Sequence, residues 1–443
     1  MGSHASVASH QGSVVRVFRP ASVAPPGGNR ANGGNYGYAQ AVSAADHAIE
    51  QESPPRELQQ PATSLLPFAG LALAIVASTL YVFPAGTPQP GDALLAITIV
   101  MTILLANYTL PALPKLYTSL GLFLVWIILV NSVWFILIGD YVFLRKTSFY
   151  IYNAAIMLFI VSLGVHDYER LRKVVYWSCI IALLTELGYL EFVYITAKKR
   201  SLGTFNNPNQ MGYWGLLILA CLGVARRRER LRLIDAAALA TGCYIIAQSL
   251  SRVATAAGVL MALAVAMFSR WKRGAVLAIV GLAVLGGSAE LLRGGILVQV
   301  QEASIVQGLQ KRVDLLSRHP DEPLSLWKRG YSRLVEHAEY LPFGAGEGAF
   351  GRLTDVSEKE FHSSLGNILM SYGVVGLGLL LIFFFVVFRN SPPVNLLYFG
   401  LIMLYGITHM GMRDTMLWIF FGLVYVQGMA ENSPADEDVA PAR

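Results

Sequence analysis

The sequence predicts an all-α polytopic membrane protein, and three observations predict it. Of 443 residues, 54% are hydrophobic and only 14% are charged, whereas soluble proteins carry about 25% charged residues. The apolar residues come in blocks of about twenty, the length that crosses a ~30 Å hydrocarbon core. Cations collect in alternate connections between these blocks, as the positive-inside rule requires. A membrane β-barrel would show short segments of alternating polarity instead.

Residues 1–62 differ from the rest. They are polar and rich in Gly, Ala, Ser and Pro (APPGGNRANGGNYG, then EQESPPRELQQP), a composition that cannot bury a core and reads as a disordered cytoplasmic tail. No apolar h-region follows the first residues, so no cleavable signal peptide is expected. MGSHAS fits a myristoylation pattern formally, but the motif is short.

About twelve spans follow. Nine lie within residues 63–290, at 63–85, 92–113, 117–138, 147–166, 173–196, 208–225, 232–249, 252–269 and 273–290. Three more, at 364–388, 393–410 and 413–430, precede a short cytoplasmic tail, 431–443. With the N-terminus inside, the inner connections carry Lys115, Arg170, Arg172, Lys173, Arg226, Arg227, Arg228, Arg230, Arg232, Arg270, Lys272, Arg273 and Arg389. The short outer ones carry fewer: Arg145, Lys146, Lys198, Lys199, Arg200, Arg252 and Arg413. This bias puts both termini in the cytoplasm and, in a Gram-negative cell, the opposite face in the periplasm. The net charge of +6 belongs to this pattern, and without a basic-aromatic surface motif nucleic acid is not an expected partner.

Residues 291–363 form one long outer loop. Its first part has apolar residues at helical spacing and suits the membrane surface. A second helix is predicted near DEPLSLWKRGYSRLVEHAEY, where Trp327, Tyr331, Leu334 and Ala338 share one stripe and Arg329 and Arg333 another face. A glycine-rich turn, PFGAGEGAFGR, comes next. Cys179, Cys221 and Cys243 fall in or beside apolar spans without a CxxC pair, so no disulfide or zinc framework is implied. No internal repeat is evident.

Chemistry concentrates at outward-facing helix starts. Asn207 suits an N-cap and Pro208 the first helical position. The helix they open presents unpaired N–H groups and a partial positive charge to anions, with Arg200 and Lys199 just before it. Ser251 and Arg252 open another such helix, His362 and Ser363 a third, and Arg413 a fourth, with Asp414 beside it as an alternative partner. An arginine fork binds phosphate oxygens in two places, and an arginine beside an apolar span is costly without a purpose. Neutral imidazole takes a proton near neutral pH, so His362 is the candidate base and Glu347, Glu358 and Glu360 its competitors. Ser363, Asn207, Asn209, Glu347 and Arg329 are candidate contacts for an acceptor or glycan. No HExxH or other ligand spacing points to a metal, and no cofactor is expected.

Three motifs in this order resemble the O-antigen ligase and Wzy-type polymerase superfamily of bacterial membrane glycosyltransferases. They are Arg200 followed by GTFNNPNQMG, the LSR of Leu250–Arg252 before a small-residue span, and His362-Ser363 followed, after nine intervening residues, by Gly373-Val-Val-Gly376. The approach to the last, PFGAGEGAF, resembles the glycine-rich segment preceding it in the family. The resemblance covers most of the chain beyond residue 60. It implies a GT-C-like helical fold and transfer of a glycan from undecaprenyl pyrophosphate to an acceptor hydroxyl, without metal or nucleotide sugar. Arg200 and Arg252, with Lys199 and Arg413, would hold the pyrophosphate, and His362 would act as base or orient the acceptor. The acceptor would be lipid A–core for a ligase or another lipid-linked glycan for a polymerase. Arg333, ten residues, then Gly344 matches a spacing found in some polymerases. A transporter or flippase of a lipid-linked glycan is a further class that about twelve spans would suit.

Overall fold

The computed structural model describes residues 65–84, 86–105, 110–193, 203–226, 230–249, 251–268, 330–353 and 361–432. The N-terminal tail, Lys199, Arg200, the span expected at 273–290, the loop's first part, Arg329 and the C-terminal tail lie outside them. Among the described residues every regular element is helical: α1 Leu65–Ala77, α2 Pro90–Leu105, α3 Pro114–Ile138, α4 Val142–Val193, α5 Pro208–Arg226, α6 Leu233–Gln248, α7 Arg252–Met267, the single turn α8 Arg333–Glu336, α9 Ser364–Phe388, α10 Pro393–Gly406 and α11 Thr415–Asn432.

Among the described residues three stretches, Pro114–Ile138, Val142–Glu191 and Ser364–Phe388, are long and apolar enough to cross a membrane, and five shorter helices are apolar as well. The burial pattern suits a body in a membrane. α5 is buried on all sides from Met211 to Arg226, and α11 nearly so from Met416 to Val424. α3, packed against α9 and α4, leaves a face of Leu122, Val125, Leu129, Val133 and Ile136 exposed, the last at 79%. Such a face calls for an apolar surrounding.

The spans expected at 147–166 and 173–196 form one helical run, α4. Straight, it would reach ~78 Å, far beyond a bilayer. Asp167 divides it, with non-helical φ −154° and ψ 82°. Its carboxylate accepts the Arg170 N–H (2.9 Å) and pairs with the Arg170 guanidinium (3.3 Å), an N-cap for the second half. α1 ends at Ala77, earlier than its apolar run, because the Ser78 and Thr79 hydroxyls turn back onto the Ile75 and Val76 carbonyls.

Of the second loop helix, residues 330–340 are described, and they do not form one continuous helix. Gly330 has φ +94°, among these residues only Arg333–Glu336 is α-helical, and His337 (φ −127°, ψ 44°) separates it from a 3-10 turn at Ala338–Tyr340. Tyr331, Leu334 and Ala338 therefore do not share one helix. Arg333 is 2% exposed, with its guanidinium 5.7 Å from the Phe350 ring centroid.

α9 is broken at Gly373, where φ is +70° and a Cβ would stand 2.4 Å from the Pro342 carbonyl oxygen. Both the backbone sign and the close approach require glycine. The glycine-rich segment fills the break. Ala345 N–H donates to the Met370 carbonyl (2.9 Å), Gly346 N–H to Ser371 (2.8 Å), and Val374 N–H to Leu341 (2.7 Å). The Trp126 indole donates to the Tyr372 carbonyl (2.8 Å). The backbone groups released by the break are thus paired again, as a low-dielectric interior demands.

Candidate functional site

Local sequence places four helix starts. Before α5, the Asn207 side chain accepts the Asn209 N–H (2.8 Å) and Pro208 occupies the first helical position. At α7, the Ser251 hydroxyl accepts the Ala254 N–H, and Arg252 is the first helical residue. At α9, extended Ser363 (φ −150°, ψ 135°) accepts the Gly366 N–H (3.2 Å). Before α11, the Asp414 carboxylate accepts the Met416 N–H (2.9 Å).

These starts are packed together. Gly212 in the first turns of α5 lies against Ser249 and Ala254, so α5 and α7 begin side by side. Tyr213 stacks on Tyr405 at 5.8 Å and meets the His409 ring at 5.0 Å. The Tyr405 hydroxyl donates to the Asn209 carbonyl (3.0 Å). The Ser364 hydroxyl donates to the His409 carbonyl (2.9 Å) and accepts the Gly411 N–H (3.0 Å). The segment 405–414 is the hub, joining the starts of α5, α9 and α11. His362 stands exposed beside it, one residue before the Ser363 cap.

The long loop reaches the same cap. The Tyr331 hydroxyl is 2.8 Å from Ser363 Oγ and 2.8 Å from the Ile407 carbonyl oxygen, and its ring packs edge-on against Phe361 at 5.0 Å. Tyr331 thereby ties the loop, the His362 segment and the end of α10 into one unit.

Arg413 pairs with Glu347 (3.3 Å), which is fully buried, while the adjacent Asp414 is engaged as a cap. The Glu347 carboxylate also accepts from the Tyr150 hydroxyl (2.9 Å) and the Tyr372 hydroxyl (3.0 Å). Its N–H donates to the Asn131 side chain (2.9 Å), and Asn131 donates to Thr147 (2.8 Å). Asn153 donates to the Arg413 carbonyl (3.0 Å). This network joins α3, α4, the glycine-rich segment, α9 and the start of α11. Glu347, a candidate glycan contact in the sequence, is enclosed here among the protein's own groups.

Burial lowers the Arg333 and Arg352 guanidinium pKa values from the ordinary arginine range. Each lies over aromatic rings, Arg352 4.2 Å from the Trp134 centroid and 5.1 Å from Phe143, so the ring faces offset part of the desolvation. Sequence reasoning missed Asn131, Tyr150 and Tyr372. Asn131 carried a signal, a polar side chain inside an otherwise apolar span; tyrosines within spans carry none. Arg252, His362, Ser363, Asn207, Asn209 and Arg413 all belong to elements of this cluster. Comparison with protein-family models gives no match, and comparison with curated proteins gives none either.

Proposed function

We propose that this chain is a metal-independent glycosyltransferase of the bacterial inner membrane, O-antigen ligase-like, working at the periplasmic face. It would have about twelve spans, a GT-C-like fold and both termini in the cytoplasm. The observation that carries the reading is the packing of four helix starts into one cluster. The sequence supplies cations to these starts at Arg200 and Arg252, and an imidazole at His362, whereas Arg413, a pyrophosphate candidate in the sequence, is taken up by the buried Glu347. A diphosphate is the anion such an array suits: several N–H-rich helix ends with forked guanidinium donors.

The donor is a glycan on undecaprenyl pyrophosphate, and the acceptor is a hydroxyl of lipid A–core. His362 takes the acceptor's proton as that oxygen attacks the anomeric carbon. The bond from the anomeric carbon to the pyrophosphate oxygen breaks, with inversion, and the leaving electron pair is held by Arg200 and Arg252. Ser363 and Asn207 orient sugar hydroxyls. The Glu347–Arg413 pair anchors the start of α11 to the glycine-rich segment.

Purified protein given lipid-linked donor and lipid A–core tests the reading. Release of undecaprenyl pyrophosphate with a glycosylated core is the expected result, and movement of intact donor across the bilayer without release would instead mean a transporter. A polymerase is the second reading, favoured by Arg333 and Gly344: Arg333 is buried, and Gly344 lies against the Ser371 backbone. It would extend a second lipid-linked glycan and leave lipid A–core unmodified.

A further inference from the structure

Glu186 lies in the second half of α4 and is fully buried. Among the described residues no cation pairs with it. Both its oxygens meet a single residue, Thr204, in the turn that leads into α5. The Thr204 N–H donates to Oε1 (3.2 Å), and the Thr204 hydroxyl lies 2.7 Å from Oε2. The same hydroxyl also reaches the Thr79 carbonyl oxygen at the end of α1. Gly203 permits this approach, since a Cβ there would stand 1.9 Å from Glu186 Oε1.

A threonine hydroxyl has one hydrogen, and an ionised carboxylate and a carbonyl are acceptors only. With Glu186 ionised, one of the two contacts of Thr204 Oγ1 would set oxygen against oxygen without a proton, and a buried carboxylate is costly in itself. With Glu186 protonated, every contact is satisfied. Its O–H donates from Oε2 to Thr204 Oγ1, the Thr204 O–H donates to the Thr79 carbonyl, and the Thr204 N–H donates to Oε1.

We propose that Glu186 is held as a neutral carboxylic acid and is a positioning residue for the transfer site. Its relay through Thr204 to Thr79 ties α4 and α1 to the turn before α5. That turn contains Gly203, follows Arg200 by three positions in the sequence, and delivers Phe205, buried against Tyr81 (4.6 Å) and Trp214 (5.4 Å). The α5 start, with its Asn207 cap, takes its place from this anchor.

The activity arm of the test rests on the glycosyltransferase reading; the spectroscopic arm does not. Full-length wild type, Glu186→Gln and Glu186→Ala are purified in lipid nanodiscs. Infrared difference spectra of wild type against Glu186→Gln should show loss of a deuteration-sensitive carbonyl band of a protonated carboxylic acid. The glutamine amide can donate to Thr204 Oγ1 and accept from its N–H, so Glu186→Gln should keep the melting temperature and transfer rate close to wild type. Glu186→Ala should lose transfer by about 10²-fold, the scale of a misplaced site. The proposal is overturned if no such band disappears, if glutamine fails as badly as alanine, or if Glu186→Ala lowers only the melting temperature while the folded fraction turns over normally. If wild type itself shows no transfer, the functional reading falls, while the infrared band and the glutamine–alanine stability comparison still decide the state of Glu186.

Discussion

Arg413 and Glu347 illustrate what one residue does in this molecule. Removing one partner of a buried ion pair strands the other charge, at a cost of about 3–5 kcal/mol. Arg413→Gln or Glu347→Gln alone should therefore lower stability by that order, whereas the two combined should recover part of it; thermal melts of wild type, both single variants and the double variant in detergent measure the coupling. The sequence displayed both residues but not their pairing. Arg413 has Asp414 as its chain neighbour, and nothing local says that Asp414 is spent on capping α11 or that Glu347 comes from the glycine-rich segment. At Arg252 the site reading makes its own prediction. Loss of one donor to a developing oxyanion typically costs ~10²–10³ in rate, so Arg252→Ala should fold, express normally and transfer glycan slower by that factor.

At the scale of elements, the broken α9 is the device that holds the glycine-rich segment. Gly373→Ala imposes a strained positive φ, worth about 1–3 kcal/mol, and drives a methyl group into the Pro342 carbonyl. The amides of Ala345, Gly346 and Val374 should then lose protection, a result that hydrogen exchange with peptide-level mass spectrometry reads directly; unchanged exchange would mean that the segment is held elsewhere. Most helices were legible because apolar runs of span length have few other uses. Their ends were less so. The charged stretch after Asp167 reads as a loop, yet Glu169, Arg170 and Arg172 are good helix formers, and a single capping aspartate makes the division. At the loop helix the opposite holds: the apolar spacing continues through His337, where the backbone leaves the helical region.

For the whole molecule, the distribution of exposure implies lipid on the outside and polar networks within. Leu129, half exposed on α3 (51%), should not tolerate charge. Leu129→Arg should cost about 2.5–3.5 kcal/mol of membrane insertion, visible as a lower carbonate-resistant yield, while Leu129→Phe should insert normally. Membrane character followed from composition and block length alone. The gathering of the starts of α5, α7, α9 and α11 did not, since it depends on contacts such as Tyr405 with Asn209 and Ser364 with Gly411, between residues distant along the chain. In the proposed function these starts grip a pyrophosphate leaving group while His362 serves the acceptor. Its most direct test is undecaprenyl pyrophosphate release by the purified, reconstituted protein with lipid-linked donor and lipid A–core. Wild type should release it, and Arg252→Ala and His362→Ala should each do so about 10²-fold or more slowly; release at the wild-type rate by both variants, at equal folded amounts, would rule the pyrophosphate grip out.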